Sequence, residues 1–320
     1  MRWFLLTRII QSLLVLAVMS FVIYALIGLM PGDPIDLMIS SNPNMTAADA
    51  AALRQLFGLD LPIYQRYLNW LGTALGGDLG YSRLFGQPVL DVLFPAMKNT
   101  VILMGTAFIL SVCIAIPVGT FAASKPRSAV DYGVNLFAFA GISIPSFWLA
   151  LMLIIIFSVF LGWFPAGGIA VDGAPFLEQI KYMVLPVATI TIVSIGGHSR
   201  YVRSSMIEVL RQDYIRTARA KGADNKRVIW KHALRNAMIP VVTILALDFG
   251  FLFSGALITE TIYSWPGMGK LIFDSVMGND FNLALVALLF ATALTLTGNL
   301  LADICYAWLD PRIVIGGDSK

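Results

Sequence analysis

The chain has 320 residues, of which 58% are hydrophobic and 13% are charged, and its mean hydropathy is +0.79. A soluble domain of this size cannot bury so much apolar surface, and several stretches reach the roughly 20 residues that a helix needs to cross a bilayer. The net charge of +3 is small, and the basic residues lie beside apolar runs without interleaved aromatic residues, which argues against nucleic-acid binding. The composition therefore predicts an all-α polytopic membrane protein.

The first apolar run covers residues 8–30 and follows a basic start at Arg2. A secretory signal peptide also starts with basic residues, but this run is too long and ends in Pro-Gly-Asp-Pro at 31–34, without a small-residue cleavage site. We therefore expect residues 1–30 to contain a retained first span.

Residues 31–98 are more polar and predict a small helical insertion outside the membrane. One helix is expected after Thr46, where Asp49 completes an approximate capping box, and should end at Gly58. A second helix is expected from about Pro62 to the glycine pair at 76–77. The insertion is either a structural cap on the spans or a surface that receives a binding protein, and the sequence leaves both open.

Five further apolar runs predict that residues 99–320 form a five-helix core, giving six spans in a single domain over residues 1–320. The five runs are residues 100–123, 133–161, 182–197, 238–259 and 283–308. The run at 182–197 is short and contains Pro186, which membrane helices tolerate where neighbours satisfy the freed carbonyl. Pro117 and Pro145 also permit bends, although such bends are ordinary in membrane helices and identify no hinge.

The distribution of basic residues predicts the orientation. Six spans place both termini on one side, and 16 of the 22 Lys and Arg residues fall on that side together with the loops that share it. Ten of them lie between Arg200 and Arg235. By the positive-inside rule, both termini and this basic stretch are cytoplasmic.

Residues 211–240, called the basic loop below, form the long polar interruption between the fourth and fifth apolar runs. A four-residue step predicts a helix whose apolar face carries Met206, Leu210, Tyr214 and Ala218. Gly222 should end this helix, and Asp224 should cap a second helix before Pro240 opens the next span. The apolar side of that second helix carries Val228, Ile229 and Ala233. Such a helix-turn-helix can transmit force from a soluble partner to the spans, or it can rest on anionic lipid, and the pattern alone leaves both open.

The run Asp-Tyr-Ile-Arg-Thr-Ala-Arg-Ala-Lys-Gly at 213–222, followed by His-Ala-Leu-Arg-Asn-Ala-Met-Ile-Pro at 232–240, resembles the cytoplasmic EAA loop of ATP-binding-cassette (ABC) importer permeases. The form is that of the dipeptide, oligopeptide and nickel permease family. The glutamate and two alanines of the general pattern map onto Arg216, Thr217 and Ala218, and its glycine maps onto Gly222. The chain departs from the pattern at Arg216 and at Arg235, where many importers have proline, and both departures resemble the peptide branch. The resemblance implies that an ATPase is contacted by Asp213, Tyr214, Arg216, Thr217, Ala218, Arg219, Ala220, Lys221, Gly222 and Ala223.

Further motifs at 31–34, 77–80 with Ser82, 143–147, 260–269 and 310–312 resemble the same family. The resemblance implies an ABC type I importer-like permease fold in a bacterial or archaeal inner membrane, with a cytoplasmic coupling loop at residues 198–236. It also implies four kinds of partner: a second homologous permease subunit, two ABC ATPase subunits, an external substrate-binding protein and the lipid bilayer. Relatives handle dipeptides, longer peptides, nickel chelates and glutathione.

ATP hydrolysis is expected on the partner ATPases, which would hold ATP and Mg²⁺, while this chain is expected to bind no cofactor and no metal and to carry no catalytic residue. The sequence has no phosphate-binding G-x-x-x-x-G-K-[ST] motif. The run Gly-Met-Gly-Lys at 267–270 has the wrong spacing, lacks the hydroxyl residue and is expected on the outer face.

Asp248 lies near the middle of the expected fifth span, and an acid within a span is a functional candidate because a charge in lipid is costly. Steps of four, three and four place it in a helical stripe with Leu252, Gly255 and Thr259. Our hypothesis is that Asp248 faces the translocation cavity and attracts the amino terminus of a peptide or another cation; the alternative is a protonated or hydrogen-bonded helix contact. Glu260, at the outer end of this span, is either part of an outer gate or simply at the water interface.

Six other residues have structural interpretations. Cys113 and Cys305 lie in apolar runs, where a free thiol behaves as a small apolar group. His198 and His232 flank the basic loop without forming a metal constellation, and a solvated or interfacial role is expected for both. Near the inner face, Asn299 and Asp303 should hydrogen-bond to neighbouring helices.

Other classes of membrane protein fit less well. An ion-coupled secondary transporter would need coupling residues within the spans, and only Asp248 is an obvious candidate. An ion channel would need a pore loop or a ring-forming polar run, and a membrane enzyme would need clustered nucleophile, base or metal ligands. The sequence shows neither pattern.

Overall fold

The computed structural model of the chain describes residues 2–29, 60–171, 173–251 and 256–309, together with Asp49, Ala52 and Gln55. The expected helix between Thr46 and Gly58 lies largely outside the described residues, as do the motifs at 31–34 and 310–312. The described part of the chain is mostly helical, which agrees with the predicted fold class.

The elements follow in this order: α1 Arg2–Gly28, α2 Ile63–Leu75, β1 Tyr81–Ser82, β2 Gln87–Pro88, α3 Val89–Ser124, α4 Ala129–Ser143, α5 Ser146–Leu153, the π-helix π1 Ile154–Phe160, α6 Phe176–Leu210, α7 Asp213–Ala220, α8 Asn225–Arg227, the π-helix π2 Val228–Ala233, α9 Leu234–Phe251, α10 Leu257–Ile262, α11 Met268–Met277 and α12 Phe281–Leu309. The two strands form a short antiparallel hairpin. Helix α2 begins directly after Pro62, as predicted.

Among the described residues, four helices are long and apolar enough to cross a membrane: Leu6–Gly28, Val89–Ser124, Phe176–Leu210 and Phe281–Ile304. The pair Ala129–Ser143 and Ser146–Phe160 makes a fifth crossing if it counts as one broken span, since the two halves meet at an angle of 100°. The bend falls at Ile144, whose backbone is extended (φ −78°, ψ 123°) because the following Pro145 disfavours the helical conformation. The single rod predicted over residues 133–161 is therefore wrong in shape.

The short span predicted over residues 182–197 is also wrong in length. Helix α6 has 35 residues and carries Pro186 inside it, buried against neighbouring helices. The prediction followed the apolar run alone, whereas the helix continues through the polar residues beyond Gly197 until Leu210. As a result, one rigid rod connects the membrane interior to the basic loop.

The span predicted over residues 238–259 is interrupted. Helix α9 reaches Phe251, and α10 starts only after Ala256, whose φ of −103° and ψ of 69° are not helical. Thr259 therefore lies on a different helix from Asp248, and Leu252 and Gly255 fall outside the described residues. The continuous stripe predicted for these four residues is not present. The next helix, α11, was not predicted from the sequence.

Small residues allow the central helices to approach closely. A Cβ atom added at Gly119 of α3 would lie 2.6 Å from the Ser199 carbonyl oxygen of α6, and one added at Gly196 would lie 2.6 Å from the Ala138 carbonyl oxygen of α4. Such contacts between backbones are typical of membrane helix pairs, where dispersion and not the hydrophobic effect drives packing. Helix α6 is therefore the central rod of the described core.

Helix α1 lies at the edge of the molecule and packs on α12. Near one end of this contact, Arg8 Nε lies 3.2 Å from a carboxylate oxygen of Asp303, so the interhelical contact predicted for Asp303 is confirmed. Nearer the other end of α1, the hydroxyls of Ser20 and Tyr67 form a 2.6 Å hydrogen bond that joins α1 to α2. The remaining surface of α1 is largely apolar and exposed, as expected for a helix facing lipid.

Candidate functional site

The basic loop forms the predicted helix, turn and second helix. Gly222 adopts a left-handed backbone (φ +83°) one residue beyond the end of α7, and the amide of Ala223 donates to the Ala218 carbonyl at 3.1 Å. The Asp224 side chain accepts a 3.3 Å hydrogen bond from the Arg227 amide at the start of α8. Both predicted caps are therefore confirmed, because each depends only on local chain geometry.

The apolar face predicted for the first of these helices is wrong. The chain leaves the helix at Arg211 and Gln212 before α7 begins, so α7 does not continue the face of α6. Ile215 becomes the buried residue of α7, whereas Tyr214 remains 45% exposed. The Tyr214 hydroxyl instead forms a hydrogen bond with the Asn236 side chain on α9. Partial burial raises the pKa of Tyr214, and this hydrogen bond offsets part of the increase.

Ile215 belongs to an apolar cluster beneath the basic loop, which we call the loop cluster. It contains Ala123, Val202, Met206, Ile215, Val228, Ala233, Ala237 and Val241. These residues come from α3, α6, α7, π2 and α9, so the loop is packed against the ends of three long helices. Since packed interiors resist compression, a displacement of α7 must displace those helices too.

The ten residues expected to contact an ATPase all lie on α7 and the turn that follows it. Ala218 and Ala223 are half-buried, and the others are exposed: Asp213, Tyr214, Arg216, Thr217, Arg219, Ala220, Lys221 and Gly222. The Asp213–Arg216 ion pair, at 3.5 Å, is almost fully solvated and contributes little to stability. The structure thus exposes most of the residues that are expected to contact an ATPase.

A chain of polar side chains crosses the interior between three long helices. Ser111 Oγ of α3 lies 2.7 Å from His198 Nδ1 of α6, and His198 Nε2 lies 2.7 Å from Asp248 Oδ2 of α9. His198 is buried, so the solvated or interfacial position expected for it is wrong. The rule that singled out Asp248, an ionisable residue inside a span, would have found His198 if the span had been extended beyond Gly197.

Asp248 faces a cavity of about 350 Å³ between α3, α4, α6 and α9. Its side chain is 44% exposed there, compared with 9% for His198. The wall is otherwise mostly apolar and includes Met104, Phe108, Ile190 and Ile244. Asp248 therefore both lines a cavity and forms a hydrogen bond to a neighbouring helix.

A second cavity, of about 630 Å³, adjoins the first and is lined by α4 and α6. Two arginines reach it. Arg203 donates two hydrogen bonds to the buried Asp131 carboxylate, at 2.5 and 2.8 Å, whereas the Arg200 guanidinium lies over the Phe139 ring, 4.8 Å from its centroid. The first cavity therefore exposes the carboxylate of Asp248, whereas the second exposes the guanidinium of Arg200, which forms no ion pair among the described residues.

Glu260 is fully buried, so the water-interface position considered for it is wrong. Its Oε1 accepts from the Thr100 hydroxyl at 2.6 Å, and its Oε2 accepts from the amides of Gly269 and Lys270 at 2.7 and 3.1 Å. This burial cannot be predicted from sequence, because it arises only when α11 folds back over α10. Glu260 thereby fixes the start of α11 to α3.

Comparison with known proteins supports the family resemblance. A family model described as "Binding-protein-dependent transport system inner membrane component" matches residues 115–315, and its N-terminal companion, "Binding-prot-dependent transport system membrane comp, N-term", matches residues 1–114. The chain is 39% identical over 316 residues to the oligopeptide transport system permease protein AppB of Bacillus subtilis (strain 168), covering 98% of this chain and 99% of that protein. It is 36% identical over 313 residues to the dipeptide transport system permease protein DppB of Escherichia coli (strain K12), covering 91% and 92%.

Among solved structures, the chain is similar to a chain of the MetNI methionine ABC transporter in inward-facing form, with a TM-score of 0.56 and 17% identity. The match covers 70% of this chain and 98% of that chain, and it shows a shared fold. With family models matched along nearly its whole length, the protein belongs to the binding-protein-dependent transport system inner membrane component family, the ABC importer permeases that its sequence motifs resemble.

Proposed function

We propose that this chain is the membrane subunit through which peptides pass in an ATP-driven importer. Relatives named for oligopeptide and dipeptide transport support peptides as the substrate class. The proposed assembly contains a second homologous permease, two cytosolic ABC ATPases that hold ATP and Mg²⁺, and an external binding protein that delivers the substrate. Six spans, with both termini cytoplasmic, are part of this proposal.

The observation that carries the proposal is the packing of the basic loop. Its polar surface on α7 is exposed, while its apolar side forms the loop cluster with α3, α6 and α9. When the ATPases close on ATP, a partner bound to α7 would shift the loop, and α6 and α9 would tilt with it. Because α6 and α9 also carry His198 and Asp248, that tilt would reshape the cavity and switch its access between the two sides.

Within this proposal, Asp248 lines the path and favours cationic groups of the substrate. Its carboxylate is partly exposed to the cavity and keeps one hydrogen bond to a buried histidine. Nickel chelates or glutathione remain the competing substrates within the family. An ion-coupled secondary transporter is the competing mechanism.

Site-directed crosslinking tests the coupling. Cys113 and Cys305 are replaced by alanine, and a cysteine is introduced at Thr217 on α7 or, as a control, at Tyr81 in the outer hairpin. The Thr217→Cys variant should crosslink to an ATPase, and the crosslink should block ATP-driven uptake until it is reduced, whereas Tyr81→Cys should capture no ATPase. An assembly that imports peptide while no position from 213 to 223 captures an ATPase would overturn the proposal, as would uptake driven by an ion gradient without ATP.

A further inference from the structure

We infer that the two adjoining cavities contain two binding subsites of opposite charge, called stations below, for a zwitterionic peptide. Asp248, oriented by His198, binds the ammonium group, and Arg200 binds the carboxylate. This inference rests on the proposed function, which it extends from a general peptide path to a path that recognises both ends of the peptide.

The anionic station depends on the way Asp248 is held. Its Oδ2 atom takes the hydrogen bond from His198, and among the described residues nothing donates to Oδ1. An ionised carboxylate can only accept hydrogen bonds, so Nε2 donates to Asp248, while Nδ1 shares a hydrogen bond with the Ser111 hydroxyl. Asp248 is then left with an acceptor that is exposed to the cavity and suited to an ammonium group.

His198 is a positioning residue in this arrangement. Both ring nitrogens are engaged, at 2.7 Å each, and the ring is buried between α3 and α9. A buried ring fixed at two points restricts the rotation of the carboxylate that it holds. Without it, the Asp248 carboxylate would lose its orientation, because no other described residue bonds to it.

The cationic station is Arg200. Its guanidinium stacks over the Phe139 ring, which orients its plane, and it forms no ion pair with an acid in the described part of the chain. Arg203, on the same wall, already gives two hydrogen bonds to Asp131 and is not available. A guanidinium held flat and left without an acid suits the two parallel hydrogen bonds of a carboxylate.

The positions of the stations favour one substrate that carries both charges. The cavities share Ile142, Gly197 and Tyr201, so a ligand that fills one reaches the edge of the other. A di- or tripeptide extends by roughly 3.5 Å per residue and presents an ammonium group at one end and a carboxylate at the other. A peptide blocked at one end satisfies only one station and leaves the opposite charge without its counterpart.

The test measures peptide binding to the purified permease–ATPase complex without its binding protein, so that the preference of the binding protein does not contribute. After removal of Cys113 and Cys305, a reporter cysteine is placed at Ser194 in the first cavity or at Ser204 in the second, and the rate of maleimide labelling is followed. We expect a free dipeptide to protect both reporters. N-acetylation or C-amidation should each raise the concentration for half-protection about tenfold, the effect of one charged hydrogen bond.

The variants assign the stations. The penalty for a blocked end is the rise in the peptide concentration for half-protection. Asp248→Asn should abolish the penalty for N-acetylation and leave the penalty for C-amidation, and Arg200→Gln should do the reverse. His198→Ala should weaken only the preference for the free ammonium, and His198→Gln, which can still donate to Asp248, should restore part of it. Glu178→Gln and Lys181→Gln change exposed charges of α6 outside the two cavities and should leave both penalties intact.

Equal protection by free and blocked peptides, no protection at all, or the loss of both penalties in one variant would overturn the inference. An Arg200 that binds lipid phosphate instead of peptide would show no penalty for C-amidation, which would also overturn it. ATP-driven uptake of the free dipeptide by the complete importer is measured in parallel. Uptake without the protection pattern rejects this inference alone, whereas the absence of ATP-driven uptake rejects the proposed function.

Discussion

At the scale of single residues, the burial of Glu260 is tolerated because each of its oxygens meets a donor. Replacing it with alanine would leave the amides of Gly269 and Lys270 without their acceptor, and unsatisfied buried groups are costly. We expect Glu260→Ala to lower the free energy of unfolding by about 3 kcal/mol, and Glu260→Gln, which keeps one acceptor, to lower it less. Thermal unfolding of the purified complex in detergent measures both.

Glu178→Ala is the matched control, because Glu178 is exposed in the first turn of α6. Its unfolding temperature should remain close to that of the unmodified protein. If Glu260→Ala unfolds at the same temperature as this control, Glu260 does not hold α11 in place.

Neighbouring glycines on α6 provide a second prediction at this scale. A Cβ added at Gly196 would lie 2.6 Å from the Ala138 carbonyl oxygen, whereas one added at Gly197 meets nothing within 4 Å. Gly196→Ala should therefore destabilise the protein by about 2 kcal/mol through overpacking. Gly197→Ala should be neutral or stabilising by up to about 1 kcal/mol, because alanine is the better helix former. Unfolding curves for the two variants test the difference, and equal curves would show that α4 and α6 do not approach closely.

Sequence predicts residues well where their role is local. Gly222 and Asp224 were found because a helix end needs a left-handed residue or an acceptor within a few positions of the chain. His198 and Glu260 were misplaced because their partners come from other helices, 50 residues away for His198 and 160 residues away for the Thr100 contact of Glu260. An ionisable residue in an apolar run shows that a partner is needed, but the identity of that partner depends on the tertiary fold.

At the scale of elements, the loop cluster packs the basic loop against the ends of α3, α6 and α9. Ile215 is its only fully buried residue on α7, so truncating it removes the anchor of that helix. We expect Ile215→Ala to cost about 3 kcal/mol in local packing and to lower peptide uptake per ATP hydrolysed, because α7 would move without moving α6 and α9. The ratio of uptake to hydrolysis in reconstituted vesicles measures this.

Lys226→Ala serves as the control for Ile215→Ala, since Lys226 is exposed on α8 and lies outside the loop cluster. It should leave the ratio of uptake to hydrolysis unchanged. Unchanged coupling in Ile215→Ala would mean that force reaches the spans by a route other than this cluster.

Apolar runs alone do not define the bounds and the shape of these helices. Helix α6 continues into polar sequence because its polar residues have interior partners, such as Asp131 for Arg203. The helix predicted across Pro145 bends because the proline disfavours a helical conformation at Ile144. The sequence permits a bend at this position but does not determine its angle. Helix α11 is short and follows Trp-Pro-Gly, which hydropathy alone assigns to a loop.

At the scale of the whole molecule, the orientation depends on how the bent pair α4 and α5–π1 is counted. Between Tyr81 in the β1–β2 hairpin and Thr217 on α7, the chain passes through α3, the bent pair and α6. If the pair is one broken span, three crossings separate the two residues and place them on opposite sides of the membrane. If the pair turns back as a re-entrant loop, they lie on the same side.

Basic residues favour the first arrangement, because most Lys and Arg residues then face the cytoplasm. In right-side-out vesicles, a membrane-impermeant maleimide should label Tyr81→Cys at once and Thr217→Cys only after the membrane is permeabilised, with Cys113 and Cys305 replaced by alanine in both. Both positions are exposed, so a difference in labelling reflects sidedness and not burial. Labelling of both before permeabilisation would make the pair re-entrant and place the basic loop outside, out of reach of a cytosolic ATPase.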